Sequence, residues 1–323
     1  KVLTTAGKGK SSANDAVFGT AAFINTAIRP DQTPGRRLFV YTTWGFVDVD
    51  ALNGTEYQID SMLFDTDSYV FLEPAGQNKK IVAFNSDAQD TAVEMRKAIF
   101  EIGIPLTLES RGSFEMRSSE IIATQPRIAF ALDVTQGSVL VDALSKISLD
   151  GAGHPAGTGT GHGRSLGGND FGVASGGGYG GRGGEGNVNG IVPGGMYYGS
   201  AMKPTLLADR LPVAQLIGSG GGKYYGYGKG NGGGAVSLSA SLVTIAGRVS
   251  ADGFSGNLPG GTLRSGGGAG GSVYLDGDTI SIPGSVTANG GGEILAGAGG
   301  GGAGGRIAIA YKNFIGDEKK ITA

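Results

Sequence analysis

The sequence predicts a mainly β protein in two parts. An N-terminal β-rich domain carrying one helix leads into a Gly-rich domain built as a parallel β-helix or related solenoid. Three observations carry this reading. Glycine is unevenly placed: of 64 in 323 residues, 10 fall in 1–150 and 54 in 151–323. A stretch of the second half repeats without gaps at an offset of 37 residues. Each copy contains three short apolar/polar alternations, the mark of strands that bury one face.

The N-terminal part reads as an arm or linker over 1–35 and a β-rich domain over 36–137. Segments 37–49, 57–72, 80–84, 106–109, 113–117 and 127–134 are rich in β-branched and aromatic residues or alternate strictly. A helix is expected over about 87–102. Ser86 and Gln89 form a capping-box pattern, Ala88, Ala92, Met95, Ile99 and Ile102 follow at helical spacing, and Gly103 and Pro105 stop it.

The solenoid is expected over 138–323, with copies at 138–151, 234–253, 271–290 and 305–323. Val236 falls on Val273, Leu238 on Leu275, Val243 on Ile280, Gly247 on Gly284 and Val249 on Val286. The third copy begins at Gly305 and ends at Ala323, with one extra residue inside it. Three strands cannot enclose a core alone, whereas stacked copies can, each strand pairing with its equivalent above and below. Antiparallel hairpins in a sandwich are the rival arrangement. Gly247 and the Asp-Gly or Asn-Gly closing each copy are expected at turns that tolerate positive φ.

Glycine-rich excursions leave after that closing pair, over 151–233, 254–270 and 291–304. They are expected to pack as polyglycine-II-like strands or close-packed loops, since runs such as 220–222, 266–268 and 299–302 have no Cβ to block contact. Flexible loops are the alternative, against which stand the anchors Tyr197, Tyr198, Tyr224, Tyr225 and Tyr227 in the longest one. These tyrosines would pin the loops, or serve as surface contacts for sugars or a host surface.

The order 180–184 (GGRGG), Tyr198-Gly-Ser200, 218–222 (GSGGG), 233–236 (GGAV), 265–273 (SGGGAGGSV) and 301–309 (GGAGGRIAI) resembles a glycine-rich repeat module of large secreted or cell-surface proteins. The resemblance covers about 138–323. It implies an extracellular structural or adhesive role and brings no catalytic residues.

Candidate chemistry is sparse. With no cysteine there is no disulfide or zinc-thiolate site, and only His154 and His162 are present. A net charge of −2 argues against an electrostatic nucleic-acid binder. No run of about 18 apolar residues predicts a membrane-spanning helix. Asp276 and Asp278 are weak calcium candidates, since that ion wants six or more oxygens. Asp65 with Asp67 and Asp48 with Asp50 are similar pairs, and Asn53 opens a glycosylation sequon. No cofactor is expected. Beginning at Lys1 and stopping at Ala323, where the repeat would continue, the chain reads as a processed protein or part of a longer one.

The sequence-level expectation is therefore a non-enzymatic, extracellular, self-assembling subunit of a filament, sheath or surface layer. Its partner would be itself, joined through the N-terminal arm or strand addition. The alternative is a receptor- or glycan-binding adhesin, at a cell surface or a phage fibre tip. A carbohydrate-active β-helix enzyme is the third reading.

Overall fold

The computed structural model describes residues 22–25, 37–40, 43–46, 56–59, 61–65, 67–72, 79–83, 91–166, 173–187, 191–199, 215–223, 228–256, 265–292 and 299–323. Strand β1 (Ala22–Asn25) precedes a partial coil of β2 (Arg37–Val40) and β3 (Thr43–Phe46). Four coils of three strands follow. They are β4 (Glu56–Ile59), β5 (Ser61–Phe64) and β6 (Tyr69–Leu72); β7 (Lys79–Ala83), β8 (Thr91–Arg96) and β9 (Ile99–Ile102); β10 (Leu106–Ser110), β11 (Ser113–Arg117) and β12 (Glu120–Ala123); and β13 (Ala129–Val134), β14 (Ser138–Val141) and β15 (Lys146–Ser148).

The long excursion after β15 carries two small hairpins, β16 (Ser165–Leu166) with β17 (Val173–Ala174) and β18 (Gly186–Asn187) with β19 (Ile191–Val192). The next coil is β20 (Ala235–Ser239), β21 (Leu242–Ile245) and β22 (Arg248–Ser250). In the last two coils the first two strands merge, as β23 (Ser272–Ile282) with β24 (Ser285–Thr287) and β25 (Arg306–Gly316) with β26 (Ile321–Thr322).

Every strand of a coil pairs in parallel with its equivalent in the next, so the stacked strands form three columns. The third strands make one 8-stranded sheet. The first and second strands make a 14-stranded sheet that runs up one column and down the other, joined where β23 crosses both. Among the described strands of these two sheets β1 alone breaks the pattern, lying antiparallel to β2 and covering the second column at the N-terminal end.

The repeat read from the sequence is the structural register. Val236 pairs with Val273 and Leu238 with Leu275, Val243 with Ile280, Val249 with Val286, and Ile321 with Val286 on the far side. Inward residues stack into columns of one core. One column is Ile81, Leu108, Leu132, Leu238 and Leu275. Another is Val70, Phe100, Ile121, Ile147, Val249 and Val286. Through β13 and β20 the same sheet continues from the glycine-poor half into the glycine-rich half. The boundary expected at 137/138 falls between β13 and β14, inside one coil.

The helix expected over 87–102 is not formed, and the described residues contain no α-helix. Thr91–Arg96 and Ile99–Ile102 are strands, parted by a turn in which Lys97 has φ 48°. Val93, Met95, Phe100 and Ile102 are inward and fully buried. Two alternating strands joined by two residues mimic helical spacing, and pairing with β5, β6, β11 and β12 decides between them. The capping-box pair and Ala88 lie outside the described residues, as does the N-terminal arm apart from β1.

The turn glycines also act otherwise than expected. Gly247 and Gly284 lack positive φ. A Cβ on Gly284 would stand 1.9 Å from the Gly247 carbonyl oxygen, so glycine there permits coil stacking. Of the closing pairs, only Gly151 takes the left-handed region (φ +65°), roofed by the Phe254 ring. The acidic partner in these pairs builds a ladder between coils. Asp150 Oδ1 accepts from the Asp252 backbone N–H at 2.8 Å, and Asp252 Oδ1 accepts from that of Asn289 at 2.7 Å.

Candidate functional site

The excursions gather beside the solenoid as a bundle of extended glycine segments. Their hydrogen bonds recur every third residue, which gives each segment neighbours on several sides. Gly266 and Ala269 donate to Gly222 and Ser219, Gly267 and Gly270 to Gly300 and Ala303, and Gly268 to Phe254. Gly300 and Ala303 in turn donate to Ala174 and Gly177, and Gly177 donates to Gly267. The segments around 176, 268 and 302 thus bond pairwise around a triangle, which a flat sheet cannot do. This close approach dictates the composition. A Cβ on Gly176 would stand 1.8 Å from the Gly301 oxygen, and one on Gly266 1.8 Å from the Ser175 oxygen.

Two tyrosines fasten the bundle to the solenoid. Tyr179 is fully buried, its hydroxyl 2.6 Å from Ser272 Oγ at the start of β23. The Ser272 hydroxyl also bonds to the Leu216 carbonyl at 2.6 Å, and the Tyr179 hydroxyl donates to the Gln215 carbonyl at 3.3 Å. The Tyr198 hydroxyl donates to the Ile217 carbonyl at 2.6 Å and accepts from Ser219 Oγ at 2.9 Å. The two rings meet edge to face, centroids 5.0 Å apart. The Arg306 guanidinium lies 5.4 Å from the Tyr179 ring centre and donates to the Tyr198 carbonyl at 2.8 Å. Burial pushes the phenol pKa of both tyrosines up, against the opposing effects of the serine hydrogen bonds and, at Tyr179, of Arg306.

A second feature lies on the outside of the solenoid, where the first and second columns meet. The corners Ser239–Ser241, Asp276–Asp278 and Ala310–Lys312 stack around an open cleft of about 340 Å³. Lys312 Nζ is 2.8 Å from Asp278 Oδ1, and this hydrogen bond raises the ammonium pKa. Ser241 Oγ donates to the Gly137 carbonyl at 2.7 Å. Tyr311 is half exposed, its ring 5.4 Å from that of Phe314.

The expected site residues are thus dispersed. Asp276 and Asp278 line the cleft, and the described residues contain no group of three or more metal-ligating side chains. Tyr198 is a partly buried pin, whereas Tyr197 is 66% exposed. His154 is buried in the bundle and His162 is exposed, its Nδ1 2.8 Å from the Gly159 oxygen. Asp65 and Asp67 sit in the turn after β5 rather than on one strand face. Asn53, Tyr224, Tyr225, Tyr227, Asp48 and Asp50 lie outside the described residues. Sequence reasoning missed Tyr179, Ser272, Arg306, Tyr311 and Lys312. Tyr179 had a usable signal, being the one large side chain in the run 174–181. No helix among the described residues is long and apolar enough to cross a membrane. No family model, curated protein or solved structure matches the chain.

Proposed function

We propose that this chain is an extracellular, non-catalytic structural protein. In this reading it is a parallel β-helix buttressed on one side by a polyglycine-II-like bundle, and it assembles with copies of itself through the terminal coil. The observation that supports assembly is the state of that coil. The outer edges of β25 and β26 pair with no strand among the described residues. Its inward residues Ile307, Ile309, Phe314 and Ile321 are only partly buried on the core. An edge of this kind takes up a further coil, which a second copy can supply as readily as more of one chain, whereas the second column at the other end is covered by β1. The three-residue hydrogen-bond period supports the polyglycine-II part, since that backbone has three residues per turn.

Sedimentation velocity at rising concentration, with negative-stain microscopy, tests the assembly. Filaments or multimers that Ile309→Lys abolishes and Tyr197→Ser leaves intact are the expected result. A monomer at every concentration, or assembly indifferent to Ile309→Lys, would overturn it.

The adhesin remains the second reading, favoured by a cluster of exposed apolar side chains at the bundle's second hairpin. Ile191, Met196 and Tyr197 are 63%, 55% and 66% exposed within seven residues of chain. Such clusters mark contact surfaces when they are contiguous.

A further inference from the structure

The geometry points to a saccharide-binding site in the corner cleft, taking a neutral oligosaccharide across the last three coils. This goes beyond the assembly reading and does not depend on it. The cleft is of ligand size, and its lining has the mixed character that sugars require. Tyr311 offers a rigid, half-exposed aromatic surface steadied by Phe314. Tyrosine supplies such contact area at low entropic cost.

Beside it, Asp278 and Lys312 present an acceptor-only and a donor-only group 2.8 Å apart. Adjacent hydroxyls of a sugar both donate and accept, so one can face each group. The ion pair is exposed, with side chains 59% and 78% accessible, and an exposed pair contributes little stability. Redirecting it toward a ligand therefore costs little, while hydrogen bonds to charged groups are the stronger kind.

The charge balance selects the ligand class. Two aspartates disfavour an anion. The tie from Asp278 to Lys312, with no third carboxylate in the lining, disfavours a bare metal ion. A neutral polyol suits both signs. The cleft crosses three coils, and parallel strands stack about 4.8 Å apart, so it runs for about 10 Å. That length suits linked sugar rings better than a single one.

The test titrates cellotetraose, maltotetraose and chitotetraose into the full chain, read by saturation-transfer NMR and by amide shifts. At least one is expected to bind, with shifts centred on 276–278 and 310–312. Tyr311→Ala should weaken it by about tenfold or more. Asp278→Asn, an exposed change, should weaken it in parallel at an unchanged melting temperature, which separates contact from damage to the last coil. Binding by none of the three sugars overturns the proposal. So does affinity that stays within about twofold in both variants, or shifts that centre on Tyr197.

Discussion

The hydroxyl of Tyr179 lies 2.6 Å from Oγ of Ser272, although the two residues are 93 positions apart in the chain. One belongs to the glycine bundle and the other begins a solenoid strand. Their contact is therefore where the two kinds of backbone architecture are fastened. Tyr179→Phe keeps the ring and loses the donor, and should cost about 1 kcal/mol. Tyr179→Ala also leaves a cavity and should cost about 3–5 kcal/mol. Urea unfolding measures both, and equal values for the two would show that the ring contributes nothing.

Glycine content should prove a matter of backbone clearance. Gly176→Ala places a methyl group against the Gly301 oxygen, and Gly266→Ala against that of Ser175. Each should cost about 1–3 kcal/mol, as overpacking does. A Cβ on Gly292 meets nothing within 4 Å. Gly292→Ala should be neutral or stabilise by a few tenths of a kcal/mol, by restricting the unfolded chain. Hydrogen exchange across 174–184 should accelerate in the first two variants only.

Alkali should weaken both the bundle and the solenoid. Unfolded tyrosines ionise near pH 10, and burial raises Tyr179 and Tyr198 above that. A raised folded pKa means that the unfolded state releases its proton first. The contribution is therefore complete below about pH 10 and is lost as pH climbs toward the folded values. Tyr69, raised to about 12 by burial and then by Glu101, adds to the same slope. Chemical unfolding from pH 8 to 11 should show stability falling above about pH 10, with a shallower fall in Tyr198→Phe.

Strand and helix readings of 91–102 make opposite predictions for neighbouring residues. Val93 points into the core at 0% exposure, whereas Arg96 is exposed and paired with Glu94 at 2.6 Å. Val93→Asp buries a charge without a partner and should prevent stable folding. Arg96→Ala should cost less than about 1 kcal/mol. Thermal melts followed by circular dichroism, with no helical signal in the native spectrum, check both.

The last coils were legible because their inward positions hold similar residues in the same order within each copy, with Val236, Val273 and Ile307 in a single column. The earlier coils hid the same architecture. Their inward residues vary in size, as in Met62, Val93 and Phe114 down one column, and their turns vary in length, so no fixed offset aligns them. Glycine-rich segments were visible as composition. Which ones touch was not, because hydrogen bonds from bare backbone leave no side-chain pattern. Tyr311 and Lys312 were missed for a related reason, since a cleft formed by three coils becomes apparent only when the coils are stacked.

The closed triangle of glycine segments also sets an order of events during synthesis. Ala174 and Gly177 accept hydrogen bonds from Gly300 and Ala303, more than a hundred residues later. At a translation rate of about 5–20 residues per second, the early segment waits on the order of ten seconds for its partner. Coils, by contrast, pair with neighbours soon after they emerge, apart from the long interval between β15 and β20. The early segment can meanwhile bond to nearer partners, Gly176 to Gly184 and Gly222 to Ser175, so the bundle grows outward from that hub and the triangle closes only when 300–303 has emerged.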